Sequence, residues 1–402
     1  MRAGQPIASM LLLLLAGAVR GQFEGDDRRY RCIALEDLPA ELAAAPNALL
    51  LDFRSVGEFN DTAAWAGLNI GRLKGAIHIG HKELPHRLAG LGVDRDRPII
   101  VYCSHSQRSR RASNALVDSG FTHVINLNAG LSRYWLERDR LGQVSDLIER
   151  AQRYGILNAV ELCTLLSAGP VSLVDVRPDT LLDLEHRPER VWAMGRVNGA
   201  VHIPRADLPG RMQELPHDRP IVLFDEGGSD APRAADLLLD NGFTDVHVLF
   251  DGLSGLMELP PDRFPCRAPT WTATAPYSVL PPTGLDTAAI SAGRWTVIDV
   301  RGRQQYDERG PNGPRAMNRF RGAVHIPAEE LMARINELPT DRGRPVLLVG
   351  DMTGGPVLDA ARSLTDRGFT HVHTLSGGIW GLRWAVHNLP GYGAWRSWLM
   401  DP

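Results

Sequence analysis

The stretch Ile99-Ile100-Val101-Tyr102-Cys103-Ser104-His105-Ser106-Gln107-Arg108-Ser109 reads as a short buried strand, a cysteine, a tight polar turn and a helix start. Such a turn points backbone N–H groups inward, and the helix adds its positive N-terminal end. An anion placed there meets several donors at once. A cysteine in the same field is expected to favour its thiolate, so its pKa should fall. Arg108 adds a fixed positive charge able to grip an oxyanion through two N–H groups.

Working outward, the same plan is found three times. Each copy opens with a strand ending in Asp-x-Arg, at Asp52/Arg54, Asp175/Arg177 and Asp299/Arg301, with the aspartates 123 and 124 residues apart. A Gly-Ala-hydrophobic-His-Ile element follows, at Gly75–Ile79, Gly199–Ile203 and Gly322–Ile326. A Pro-led apolar strand, a polar loop and a helix come next, ending at Gly120-Phe121, Gly242-Phe243 and Gly368-Phe369. A last strand then closes in Gly130, Gly252 or Gly378. A repeat of this length matches one domain per copy. Short apolar strands alternating with helices predict an α/β domain, its mostly parallel central sheet flanked by helices on both faces. Chemistry is then expected beyond the carboxyl ends of strands, where Cys103 stands.

The expected division is a signal peptide at 1–21, a catalytic unit at 30–136, a helical join at 137–154 and an inactive unit at 155–257. A Pro-rich linker at 258–284 and a second inactive unit at 285–402 complete it, the last ending in an aromatic tail. The join is read as helical from Leu136, Leu141, Val144, Leu147 and Ile148. The linker is read as irregular because seven prolines fall between 258 and 283. The tail carries Tyr392, Trp395 and Trp398, expected to pack on unit three. The apolar run Ile7–Val19 behind Arg2, ending in Ala16-Gly17-Ala18, has the form of a secretory signal. It implies an exported, periplasmic protein with no membrane span after cleavage.

The chain has 402 residues, 44% of them hydrophobic, and a net charge of −3, which gives no footprint for nucleic acid. Its four cysteines are Cys32, Cys103, Cys163 and Cys266, and no spacing among them resembles a metal site. Export permits disulfides, and at most one pair can form once Cys103 is set aside. Cys163 lies in an apolar helical pattern and reads as a buried core thiol.

The unit resembles a rhodanese domain, as found in thiosulfate and mercaptopyruvate sulfurtransferases and in single-domain sulfur carriers. The resemblance rests on Asp52-x-Arg54 with Glu58-Phe59, Gly75-Ala76 with His78-Ile79, Cys103-x4-Arg108-Ser109, Gly120-Phe121 and Leu127-Asn128-Ala129-Gly130. It implies that a sulfane donor such as thiosulfate gives its outer sulfur to Cys103, and that the persulfide passes it to cyanide or a thiol. That scheme needs no cofactor. The binding loop would be Ser104, His105, Ser106, Gln107, Arg108 and Ser109, with His105 read as facing solvent. Asp52, Arg54 and Glu58 would be structural, a buried network orienting the loops, and so would the recurring His78, His202 and His325. A protein sulfur acceptor, or a carrier and binding scaffold without turnover, is the alternative reading.

Cysteine phosphatases and the related arsenate reductases place one residue more between Cys and Arg. The smaller ring here favours sulfur over a tetrahedral phosphate. Ser106 stands where many family loops carry glycine, which implies a left-handed serine or a slightly different loop. Glu58 stands where two-domain members often carry a substrate-binding arginine, which argues against a mercaptopyruvate specialist. Aligned on flanking strands, Cys103 becomes Asp225 in unit two and Gly350 in unit three. The site lies 17, 17 and 18 residues before the Gly-Phe pair. Neither of those loops holds a thiol or an arginine, so both units are expected to be inactive.

Overall fold

The protein is described from a computed structural model, covering residues 29–80, 83–87, 93–181, 189–307 and 318–400. The expected signal peptide lies outside the described residues. Each unit forms a five-stranded, all-parallel sheet. In unit one the spatial order is Arg31–Ile33, Val124–Leu127, Ile99–Tyr102, Leu49–Asp52, Ile77–His78. Unit two repeats it with Gly155–Leu157, Val246–Leu249, Ile221–Phe224, Ser172–Asp175 and Val201–His202. Unit three uses Ser278–Leu280, Val372–Leu375, Val346–Val349, Thr296–Asp299 and Val324–His325. The central strands are buried on both faces, as their unbroken Val/Ile/Leu runs require, because helices cover a parallel sheet on both sides.

The connections differ from the sequence expectation. The join at 137–154 is not a helix but a 3-10 turn, Gly142–Leu147, and a short strand, Ile148–Glu149, antiparallel to Arg72–Leu73. The linker at 258–284 is not irregular throughout. Trp271–Thr272 pairs antiparallel with Arg196–Val197, and Ser278–Leu280 is the edge strand of the third sheet, so that sheet begins before residue 285. The aromatic tail does the same job: Leu399–Met400 pairs with Arg319–Phe320, and Trp398 lies on Phe320 with ring centroids 5.5 Å apart. Three segments that look unlike in sequence are therefore one element, a strap laid antiparallel on a two-residue strand ahead of each Gly-Ala turn. Prolines and helix-like spacing hid this, since a two-residue strand is fixed by its partner rather than by its own pattern.

Cys163 is not a lone core thiol. It forms a disulfide with Cys266, Cα–Cα 5.5 Å, tying the helix Ala159–Ala168 of unit two to the second strap. Cys32 and Cys103 are free. The units are not beads on a string. One apolar cluster runs from Ile33, Leu127 and Trp135 of unit one into Ile156, Leu223 and Leu238 of unit two. Another runs from Leu162 and Phe224 of unit two into Ile298, Leu348 and Phe369 of unit three.

Candidate active site

The strand Ile99–Tyr102 delivers Cys103 to the sheet's carboxyl edge, and the helix Gln107–Asp118 follows the turn. Ser106 adopts φ 67°, ψ −15°, the left-handed conformation the tight cradle demands. Its hydroxyl donates to Leu127 C=O at 3.2 Å, which helps to hold a conformation that costs a serine about 1 kcal/mol. The first intrahelical bond runs from Arg110 N–H to Ser106 C=O. The N–H groups of Gln107, Arg108 and Ser109 thus have no carbonyl one turn back, and they crown the cradle.

Gly130 fixes the loop from behind. The N–H groups of Leu131 and Ser132 bond the carbonyls of Cys103 and Ser104, at 2.9 and 3.1 Å. A Cβ on Gly130 would stand 2.3 Å from the Cys103 carbonyl oxygen, and φ there is +68°. The other units are built identically: Leu253 N–H bonds Asp225 C=O and Ile379 N–H bonds Gly350 C=O. These contacts put Asp225 and Gly350 at the place of Cys103.

The thiol of Cys103 is 1% exposed and lies 3.7 Å from the Ser109 hydroxyl. Arg108 makes a two-pronged pair with Glu58, 2.5 and 2.7 Å, and donates to the Ser104 hydroxyl at 2.7 Å. Burial works against the Arg108 charge, but Glu58 and then Cys103 outweigh it, so its pKa rises. Glu58 is caught between burial, which raises its pKa, and the bonds from Arg108 and Ser55, which prevail and bring it down to about 2.

The expected Asp52–Arg54–Glu58 network is in fact two sets. Asp52 and Arg54 form a fully buried pair, 2.7 Å, with Arg54 also donating to Gly71 C=O. The pair recurs at Asp175–Arg177 and Asp299–Arg301, both 2.6 Å. His78, His202 and His325 each bond, through Nε2, the carbonyl of the arginine in their unit, at 2.8–2.9 Å. These are scaffold contacts shared by all three units. Glu58 belongs with Arg108 and the cradle.

His105 is exposed, as expected. It lines a cavity of about 540 Å³ between units one and two, and its carbonyl accepts the indole N–H of Trp384 from unit three at 2.8 Å. Crowding by protein, then the Arg108 charge, lower its pKa. Gln107 is exposed, while Ser104, Ser106 and Ser109 are buried. Sequence reading missed Trp384, Arg190 and Asp251, which reach this region from other units. Asp251 alone carried a signal, in its place ahead of the closing glycine.

Unit two shows what the cradle does with an anion. The Asp225 carboxylate turns into its own loop and accepts N–H bonds from Gly227 and Ala231, both 3.0 Å, and from Gly228 and Asp230. In unit three the Asp351 carboxylate accepts from Met352 N–H at 2.8 Å, and Gly350 supplies no side chain.

The family model described as rhodanese-like domain matches residues 35–137, 158–258 and 287–383. Thiosulfate sulfurtransferase GlpE of Stutzerimonas stutzeri is 31% identical over 96 residues, 23% of this chain and 78% of that protein. Its counterpart from Shewanella oneidensis is 28% identical over 94 residues, 23% of this chain and 82% of that protein. The HTH-type transcriptional regulator Rv0324 of Mycobacterium tuberculosis is 36% identical over 117 residues, 29% of this chain and 43% of that protein. Among solved structures, a thiosulfate sulfurtransferase from Pseudomonas aeruginosa is similar at 19% identity and TM-score 0.24, covering 90% of this chain and 67% of that one. With three matched segments that together make up most of its length, each folded as a five-stranded parallel α/β unit, this chain belongs to the rhodanese-like family.

Proposed function

We propose that the protein is a sulfurtransferase working through a persulfide on Cys103, with thiosulfate or a similar sulfane anion as donor and cyanide or a thiol as acceptor. The observation that carries this reading is the Asp225 carboxylate, held by four backbone N–H groups in the equivalent loop of unit two. The equivalent loop in unit one surrounds a cysteine, so its N–H groups face the charge that gathers on sulfur during transfer.

In the first half-reaction the Cys103 thiolate attacks the outer sulfur of thiosulfate. The S–S bond to the sulfonate sulfur breaks, and its electron pair leaves with sulfite. In the second, cyanide attacks the outer sulfur, the bond to Cys103 Sγ breaks, and the pair returns to Cys103 as thiolate while thiocyanate departs. Arg108 and the N–H groups at the helix start offset the negative charge that gathers during each transfer.

The test is turnover with a mass readout. Wild type should make thiocyanate from thiosulfate and cyanide with ping-pong kinetics, and Cys103→Ser should abolish it. Thiosulfate alone should add the mass of one sulfur atom to the intact protein. Added sulfur without turnover would favour the carrier reading; neither signal with any sulfane donor would sink both. The disulfide Cys163–Cys266 supports an oxidising, exported setting, with the periplasm the proposed compartment. Among the described residues no helix is long and apolar enough to cross a membrane.

A further inference from the structure

The single arginine of the Cys103 loop is already answered by a carboxylate. Arg108 gives both of its terminal nitrogens to Glu58, at 2.5 and 2.7 Å, and Nη2 also donates to the Ser104 hydroxyl at 2.7 Å. The Glu58 side chain is 5% exposed. It is held from its own chain as well, by the Ser55 N–H at 2.9 Å and the Ser55 hydroxyl at 2.7 Å. The neighbouring arginines are engaged elsewhere, Arg54 on Asp52 and Arg110 on His387 C=O, Asn128 and Asn388. Crowding and then the Arg108 charge lower the pKa of His105, so it adds no second cation near neutral pH.

Glu58 does not belong to the scaffold that the three units share. The same offset from the Asp-x-Arg strand end gives Leu181 in unit two and Gln305 in unit three. Gln305 approaches its own loop, its Nε2 lying 3.5 Å from the Asp351 carboxylate, but it is uncharged. The carboxylate is thus found with the thiol and the loop arginine, and is absent where they are absent. Once Cys103 is a thiolate, the side chains at the mouth carry two negative charges, Cys103 and Glu58, against the one positive charge of Arg108. The N–H groups of Gln107, Arg108 and Ser109 are left to receive a donor, and they suit a single negative charge. A second charge would need Arg108. Taking Arg108 would strand Glu58 as a buried carboxylate without its partner, which is costly.

We infer that Glu58, acting through Arg108, selects the sulfur donor by charge, so that the site prefers an organic sulfane donor of single negative charge over dianionic thiosulfate. The inference rests on the sulfur-transfer reading of Cys103 and names the donor class for it. A thiosulfonate, R–SO2–S⁻, is the simplest such donor, with carbon in place of one anionic oxygen of thiosulfate. The Cys103 thiolate attacks its outer sulfur and a new S–S bond forms. The bond between outer sulfur and sulfonyl sulfur breaks, and its electron pair leaves with the sulfinate R–SO2⁻. That leaving group carries one charge, where thiosulfate would release a doubly charged sulfite beside Glu58.

Turnover and binding test it separately. With cyanide as acceptor, and each rate divided by that donor's uncatalysed reaction, kcat/KM of wild type should favour methanethiosulfonate over thiosulfate about tenfold. In Glu58→Gln the gap should narrow to about twofold, because thiosulfate gains about fivefold, mainly in KM, while the monoanion changes less than twofold. Calorimetry with two unreactive anions needs no sulfur chemistry. Wild type should bind methanesulfonate tighter than sulfate, and Glu58→Gln should bring sulfate level or ahead. An equal or reversed preference in wild type would overturn the inference, and that comparison decides even where Glu58→Gln fails to fold. A preference that survives unchanged in folded Glu58→Gln would overturn it too. If the calorimetric preference and its loss are seen while Cys103 gains sulfur from neither donor, charge selection by Glu58 stands and the failure lies in the sulfur-transfer reading.

Discussion

Glu58 holds Arg108 through two hydrogen bonds, so the guanidinium that a leaving sulfite would use is already shared with a protein carboxylate. Two consequences follow from that one pair. Glu58→Gln keeps the shape and removes the charge, which should lower the KM for thiosulfate about fivefold, near 1 kcal/mol of anion binding. It should also lower stability by about 1–3 kcal/mol near neutral pH. The acid dependence gives a second check. Glu58 has a folded pKa of about 2 against an ordinary 4.5, so its contribution is present above pH ~4.5 and is lost as pH falls toward about 2. Denaturant melts of wild type and Glu58→Gln should therefore converge over that window. A constant difference between them would show that the pair is not the source.

At the scale of elements, the straps decide how the units are closed. Each lays a short strand across its own unit, and the second is further fixed by Cys163–Cys266, a bridge spanning 103 residues of sequence. Cross-linking so long a loop restricts the unfolded chain, which by chain-entropy reasoning gives about 3–5 kcal/mol. The Cys163→Ser/Cys266→Ser double variant should unfold at correspondingly lower denaturant, with the loss confined to the transition that reports units two and three. Persulfide loading of Cys103 should persist, because the bridge touches no part of the cradle. An unchanged transition would mean that apolar packing around Phe264 and Trp271 already fixes the strap.

Across the whole molecule, the Cys103 loop is braced by the unit farthest from it in sequence. Arg110 donates to the carbonyl of His387 and to Asn388 at the C-terminal end of the helix Gly378–Asn388, where a cation is favoured, and Trp384 donates to His105 C=O. Trp384→Phe keeps the ring and deletes one donor, a loss of about 1 kcal/mol at the junction. Hydrogen exchange across residues 103–110 should quicken, and thiosulfate–cyanide turnover should fall about twofold to fivefold. Unaltered exchange would show that unit three packs against the loop without bracing it. Units two and three carry Asp225 and Gly350 in place of Cys103 and share with unit one the Asp–Arg pair, the His–carbonyl bond and the closing glycine, contacts that hold the fold whether or not a thiol is present.

The sequence by itself determined the repeat, the parallel α/β class and the register of Cys103 with Asp225 and Gly350, and it left Ser106 as either a left-handed serine or a slightly different loop. All of these depend on contacts within about one unit, where residue pattern and backbone geometry speak directly. It also marked the loop from Ser104 to Ser109, because a strand–turn–helix cradle is a local object. Only the tertiary structure decided that Glu58 belongs to Arg108 rather than to Asp52 and Arg54, since side-chain pairing across fifty residues leaves no spacing signal. It likewise paired Cys163 with Cys266, turned linkers and tail into straps, and placed His105, Asp251 and Trp384 around one cavity and its loop. Those outcomes are set by how three similar surfaces pack against each other, and packing between units has no period in the chain.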